Sequence, residues 1–133
     1  MNSTMMRRLA IAGFALGAFF PAAASAANFA GAWAVAGIMG RSIVSTTAPV
    51  CVFRQVRNEL AGSCKGPSGI GSASGVVSGS LIAWQWNRIA TSPVQVNGIV
   101  IYKGTLVPGG LRGTWTDSAR PGVVGTFTAR KVQ

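Results

Sequence analysis

The chain has 133 residues, of which 12 are basic and two are acidic, and its formal net charge at neutral pH is +10. The absence of histidine excludes imidazole acid–base catalysis and the histidine ligands that many zinc sites use. Glu59 and Asp117, the two carboxylates, stand at predicted strand or turn ends where nothing pairs them for catalysis, so we expect neither an enzyme nor a bound metal or cofactor.

Residues 1–26 have the pattern of a bacterial Sec-type signal peptide. Its charged region contains Arg7 and Arg8, an apolar segment follows at residues 9–20, and an Ala-x-Ala cleavage site lies at residues 24–26. The apolar segment is shorter than the roughly 20 residues that a membrane-spanning helix needs. We therefore expect export to the periplasm or the cell exterior, and a single mature domain at residues 27–133 that does not span the membrane after cleavage.

The mature domain is predicted to be all-β. Glycine and β-branched residues dominate it, and turn-forming residues recur at intervals typical of short antiparallel strands. Short turns join most strands in sequence, which predicts an antiparallel up-and-down meander closed into an eight-stranded barrel. The predicted strands are at residues 29–38, 50–56, 59–65, 74–78, 81–88, 98–106, 111–117 and 123–132.

Two connections are predicted to be longer than the others. Residues 39–49 and 66–73 are rich in serine, glycine and threonine, which is typical of loops, and a further short strand at 42–46 is an option. The remaining predicted turns are Arg57-Asn58, Gly79-Ser80, residues 107–110 and residues 118–122.

The two cysteines are predicted to form a disulfide across the first hairpin. If Arg57-Asn58 is a two-residue loop, Cys51 faces Cys64 and Phe53 faces Gly62. The cysteines then occupy a non-hydrogen-bonded pair, whose Cα atoms lie about 4.5 Å apart and can be bridged. A disulfide also fits an oxidising compartment.

Alternation assigns the side chains to two faces of the sheet. Large apolar residues and glycines share the face that we assign to the interior, whereas threonines and basic residues share the face that we assign to solvent. An outer-membrane barrel would have the reverse arrangement. Across the hairpins, glycines are predicted to lie opposite rings or each other, with Gly75 facing Trp84 and Gly104 facing Gly113.

The first candidate site is a set of interior aromatic residues that includes Phe127. One interpretation is core packing; the other is the wall of a barrel mouth that holds a small apolar or amphipathic molecule. Trp33 and Trp86 stand nearer strand ends and are the better candidates for a rim. The candidate ligand-binding residues are Trp33, Trp84, Trp86, Tyr102 and Trp115.

The second candidate site is a basic face formed by Lys103, Arg112 and Arg130, with threonines between them. It is either a solvated surface that keeps the protein soluble or a binding surface for an anionic envelope component such as lipopolysaccharide or acidic polysaccharide. The excess of positive charge alone predicts weak binding to any polyanion at low salt, including nucleic acid, and nothing indicates specific nucleic-acid recognition.

Several short phrases follow one another along the mature domain: Gly31-Ala32-Trp33, Leu60-Ala61-Gly62, Trp84-Gln85-Trp86, Leu111-Arg112-Gly113-Thr114-Trp115 and Gly125-Thr126-Phe127-Thr128. Their order resembles that of calycin-type barrels, the group that contains the avidins and lipocalins. The resemblance implies an eight-stranded barrel in which Trp84, Trp86 and Trp115 form an aromatic wall. The biotin-binding residues of avidins are not matched, because alanine and valine replace the asparagine after the first tryptophan and Cys64 replaces a tyrosine.

These observations predict a secreted or periplasmic, non-enzymatic binding module. Its ligand is either a small apolar or amphipathic molecule in the barrel mouth or an anionic envelope component on the basic face. The alternative is a structural or interaction protein without a small-molecule ligand, such as an inhibitor of a secreted protease. An oligomer is compatible with both.

Overall fold

The computed structural model describes residues 27–39, 42–43 and 48–132 of the chain. The predicted signal peptide at residues 1–26 lies outside the described residues, as do parts of the predicted 39–49 connection and Gln133. Within the described residues every regular element is a β-strand, as expected for an all-β protein.

The strands form one antiparallel meander that closes on itself. From β3 to β9 each strand pairs with the next in the chain, and β1 pairs with β3 on one side and β9 on the other. β2 adds only two residue pairs at the end of β1, so the barrel has eight strands, as predicted. The strands are β1 (Gly31–Met39), β2 (Ser42–Ile43), β3 (Val50–Val56), β4 (Glu59–Gly66), β5 (Gly69–Ser78), β6 (Leu81–Arg88), β7 (Gly98–Val107), β8 (Gly110–Asp117) and β9 (Val124–Val132).

The predicted register of the first hairpin is confirmed. Cys51 pairs with Cys64 and Phe53 with Gly62, and the two cysteines form a disulfide whose Cα atoms are 4.0 Å apart. Arg57, the first loop residue, has a φ of 57°, the left-handed conformation that tight hairpin turns favour. The turn thus sets the register that brings the two thiols together.

The long connection predicted at residues 66–73 is wrong. β4 continues to Gly66 and β5 begins at Gly69, so the strands meet at a two-residue turn. The alternate glycines of β5 look like a loop in sequence, but they are interior positions where the neighbouring strand lies close. A methyl group at Gly71 would overlap the carbonyl oxygen of Asn87, so packing requires glycine there.

The turn between β7 and β8 is also shorter than the predicted four residues. Val107 pairs with Gly110, which leaves only Pro108-Gly109 as the loop. The register on either side is unchanged from the prediction, because the loop shortens by one residue at each end. Tyr102 therefore faces Trp115, as expected.

Rings fill the middle of the barrel. Trp84 stacks on Tyr102 with ring centroids 4.6 Å apart, and Phe53 and Phe127 each meet Trp84 edge-on at 5.5 Å. The predicted glycine pairings make room for them: a methyl group at Gly104 would lie 2.9 Å from the tip of the Phe127 ring. The interior is a packed core of large side chains, as in other small barrels.

The disulfide generates the first prediction. Replacing both cysteines by alanine should lower the free energy of unfolding by about 3 kcal/mol, because a cross-link over a sequence separation of 13 restricts the unfolded chain. Urea titration of the wild type and the double variant measures the loss. The single Cys64→Ala variant is the matched control, since it removes the same cross-link and should lose a similar amount. A double variant as stable as the wild type would contradict the prediction.

Candidate functional site on the basic face of a closed barrel

All five candidate ligand-binding aromatic residues lie in the core. Trp33, Trp84, Trp86, Tyr102 and Trp115 are each at most 3% exposed. The rim position expected for Trp33 and Trp86 is therefore wrong, because neither ring reaches solvent. Their burial follows from the alternation that turns every second residue of each strand inward. The geometry favours the core-packing interpretation of this set over an open aromatic wall.

One end of the barrel is closed by the residues that precede β1. Phe29 is fully buried, and the Trp33 indole N–H donates to its carbonyl oxygen at 3.0 Å. The side-chain amide of Gln55, a half-buried residue at the end of β3, accepts from the Phe29 backbone N–H at 2.7 Å and donates to the Ala27 carbonyl at 3.0 Å. A fourth hydrogen bond, from the Ala27 N–H to the Gly79 carbonyl, ties this segment to the turn after β5.

The opposite end is closed by a buried ion pair between Arg88 and Asp117. Arg88 Nη1 donates to Asp117 Oδ2 at 2.6 Å and Nη2 donates to Oδ1 at 3.2 Å, and the two side chains are 5% and 2% exposed. Arg88 also donates to the Val96 carbonyl in the loop after β6. Asp117 accepts from the Ala119 N–H in the turn after β8. The pair therefore holds two loops over this end of the barrel.

Glycine makes room for this pair. A methyl group at Gly98, opposite Arg88 in the sheet, would lie 2.7 Å from Arg88 Nη2 and 2.8 Å from Asp117 Oδ1. The bidentate geometry, with further hydrogen bonds on both partners, is the arrangement in which a buried pair can offset the loss of hydration. The pair acts as a structural plug of the barrel.

Sequence reasoning missed this pair although a signal for it was present. Arg88 follows Trp84 and Trp86 in the same two-residue phase, and Asp117 follows Trp115, so alternation alone turns both charges inward. Charged residues at strand ends are usually solvated. We followed that general rule and did not apply the alternation to Arg88 and Asp117.

Burial also changes the chemistry of the barrel's interior. Desolvation raises the pKa of the Tyr102 hydroxyl well above its ordinary value; the nearby Arg88 guanidinium lowers it in part and the Asp117 carboxylate raises it. Within the described residues, the Tyr102 hydroxyl and the indole N–H groups of Trp84 and Trp86 are buried without a hydrogen-bond partner. The interior disfavours charge on Tyr102.

The three candidate anion-binding residues lie together on the outside of the barrel. Arg112 on β8 lies opposite Thr105 on β7 and Thr128 on β9. Lys103 is two residues before Thr105 on β7, and Arg130 is two residues after Thr128 on β9. The three cations therefore form a diagonal across the strands, and the Cα atoms of neighbouring cations are about 7–8 Å apart. All three are exposed. We call this diagonal of Lys103, Arg112 and Arg130 the basic face.

Two shallow grooves border the basic face. The first, of about 470 Å³, runs beside the turn between β7 and β8 and is lined by Arg112 and Arg130. The second, of about 420 Å³, crosses β5 to β8 and is lined by Lys103 and Arg112. Arg112 belongs to both grooves, which places it at the centre of the surface.

No acidic side chain of the described residues lies beside the basic face. The whole chain contains two acidic residues: Asp117 is buried against Arg88, and Glu59 lies on β4. Glu59 is connected to Lys103 through a row of paired residues that crosses from β4 to β7. The backbones of these two residues are thus three strand spacings apart, about 14 Å. The charges of the basic face are therefore not neutralised by neighbouring side chains.

No family model, curated protein or solved structure matches this chain. The resemblance to calycin barrels stays a prediction at the level of family, while the barrel architecture that it implies is present. Among residues 27–39, 42–43 and 48–132 there is no helix long and apolar enough to cross a membrane. The same residues contain no cluster of three or more potential metal ligands.

The ion pair generates the second prediction. Arg88→Met should lower the free energy of unfolding by about 3–5 kcal/mol, because it leaves the Asp117 carboxylate buried without its counter-charge. The double variant Arg88→Met with Asp117→Leu should recover most of this loss, since an apolar pair needs no counter-charge. Denaturant unfolding of both variants measures the difference. The exposed Arg54→Met is the control, with an expected change below about 0.5 kcal/mol. Equal losses in the single and double variants would refute the prediction.

The third prediction concerns alkaline pH. Tyr102 is the one tyrosine of the chain, and its pKa in the folded protein lies above the unfolded value of about 10. Its contribution to stability is therefore fully present below about pH 10 and declines as the pH rises further, because the unfolded chain loses the phenolic proton first. Tyrosinate absorbance, followed against pH in buffer and in denaturant, should rise later in the native protein. Coincident titration curves would show that the hydroxyl is solvated.

Proposed function

We propose that this protein is a non-enzymatic binding module of the periplasm or cell exterior that holds an anionic envelope component on its basic face. The observation that supports this proposal most directly is the diagonal of three exposed cations on adjoining strands, with no acidic side chain beside it in the part of the chain that the structure describes. Cations that lack partners within the protein are available to phosphate or carboxylate groups outside it.

The basic face is better supported as the site than the barrel mouth. Phe29 occupies one end of the barrel, and Arg88 with Asp117 occupies the other. A small molecule that entered the interior would have to displace one of these closures and then separate the stacked rings of Trp84 and Tyr102. Binding to the outer face requires no such rearrangement.

The side chains around the three cations favour some classes of anionic ligand over others. Thr105, Thr114 and Thr128 are exposed among the cations, and their hydroxyls can both donate to and accept from sugar and phosphate oxygens. Proteins that bind single-stranded nucleic acid usually add exposed aromatic rings on which bases stack, whereas every aromatic side chain in the described residues is buried. An envelope component bearing phosphate or carboxylate groups fits this surface better than a single-stranded nucleic acid does.

The test neutralises the basic face. Replacing Lys103, Arg112 and Arg130 together by glutamine should weaken binding to an acidic polysaccharide and to vesicles containing phosphatidylglycerol by about 100-fold at physiological salt, since each cation near an anionic surface contributes about 1 kcal/mol. Sedimentation measures vesicle binding, and calorimetry measures polysaccharide binding.

The control removes the same charge elsewhere. Arg54, Arg57 and Lys65 are exposed on the first hairpin and its margin, and their replacement by glutamine lowers the net charge equally. This control should change the affinities by less than about threefold at physiological salt, where charges more than about 8 Å apart are screened. Equal losses in the two triple variants would leave only generic electrostatics and overturn the proposal.

A further inference from the structure

The groove that crosses β5 to β8 has two large, exposed apolar side chains on one flank. Val76 and Leu81 line one side of it, and each is 55% exposed. Lys103 and Arg112 line the other side. Large apolar side chains in such exposed positions contribute nothing to the core, and apolar residues grouped within a polar rim are typical of ligand-binding grooves.

The strand register explains how the groove arises. Two adjoining rows of outward residues cross the four strands: Val76, Ala83, Lys103 and Thr114 form one, and Ser78, Leu81, Thr105 and Arg112 form the other. Ala83 has a short side chain between two longer ones. Between the rows, Gly104 pairs with Gly113, and both contribute bare backbone to the lining. The result is a depression with a volume of about 420 Å³, within the usual range for small-ligand sites.

Charge is distributed unequally along the groove. Lys103 and Arg112 are at the β7–β8 end, and Glu59 lies directly beyond Val76 at the other end, as its partner on β4. A negatively charged group is therefore attracted to the β7–β8 end and repelled from the β4 side. An apolar group is accommodated in between, against the exposed carbons of Val76 and Leu81.

We infer that this groove binds an anionic amphiphile with a phosphate or carboxylate head and a single acyl chain. The head lies between Lys103 and Arg112, and the first part of the chain covers Val76 and Leu81. The inference rests on the proposed function and names the ligand class for one part of the basic face. It also explains why cations and exposed apolar residues lie side by side. An acidic polysaccharide would contact the cations and leave the apolar residues without a partner.

The experiment uses three small probes below their micelle-forming concentrations. Dodecyl phosphate has both parts of the ligand, ethyl phosphate has the head alone, and dodecyl maltoside has the chain alone. We expect dodecyl phosphate to bind at least about tenfold more tightly than either of the others, because the chain is removed from water and the head is paired. Calorimetry gives the affinities, and methyl NMR shifts at Val76 and Leu81 give the position.

Two double variants separate the contributions. Val76→Ser with Leu81→Ser should weaken dodecyl phosphate binding about tenfold and leave ethyl phosphate binding unchanged. Lys103→Gln with Arg112→Gln should weaken both phosphates and leave dodecyl maltoside unchanged.

Matched controls exist on other parts of the barrel. Val52→Ser with Val124→Ser removes two exposed valines outside the groove, and Arg54→Gln with Lys65→Gln removes two exposed cations. Neither control should change dodecyl phosphate binding more than about twofold. Near-ultraviolet circular dichroism of the buried tryptophans verifies that each variant is folded.

The outcomes distinguish this inference from the proposed function. If dodecyl phosphate binds no more tightly than ethyl phosphate while the polysaccharide still requires the basic face, the amphiphile inference is overturned and the proposed function is retained. If the Lys103 and Arg112 variant binds every anionic probe as the wild type does, both are overturned. Acyl-dependent binding lost in both groove variants and kept in both controls supports the inference.

Discussion

Closing eight strands into a barrel leaves an interior that side chains can only just fill, and the rest of the structure follows from that constraint. Trp84 lies at the centre, with Tyr102 stacked on one face and Phe53 and Phe127 against it edge-on. Rings of this size fit only where the neighbouring strand has a glycine. Gly104, beside the ring of Phe127, is such a position. The high glycine content of the chain, 18 residues, therefore serves packing at several interior positions as well as turns.

The same constraint leaves little free space inside the barrel. Once rings occupy the middle of the barrel, only its two ends offer room, and Phe29 fills one while Arg88 and Asp117 fill the other. Burying Asp117 has a second effect, because it removes one of the two carboxylates from the surface. Arg112 is on the same strand but points outward, and its positive charge has no acidic neighbour there. The inner ion pair and the uncompensated outer charge are thus two results of one alternation pattern.

Strand alternation made most of the fold predictable from the sequence. The pairing of Cys51 with Cys64 and of Tyr102 with Trp115 follows from turn position and period two, and both are present. The loop expected at residues 66–73 failed because local composition cannot show whether a glycine lies in a turn or under a neighbouring strand, as Gly71 does. The basic face was also predictable, since its residues share a phase. The buried Arg88 was not recognised, because its environment depends on which loops cover the end of the barrel.

Positive charge and exposed apolar residues have to be considered together on this surface. A net positive charge keeps an apolar outer wall in solution by repulsion between molecules, wherever on the barrel the charges are placed. Solubility alone therefore does not explain why Lys103 and Arg112 lie directly across a groove from Val76 and Leu81. Val124 is more exposed than either of these, at 63%, and it shares a groove with a single cation, Arg120. The two apolar sites differ in the number of cations: Val76 and Leu81 lie across the groove from both Lys103 and Arg112, and a pair of cations is what the head group of the inferred amphiphile requires.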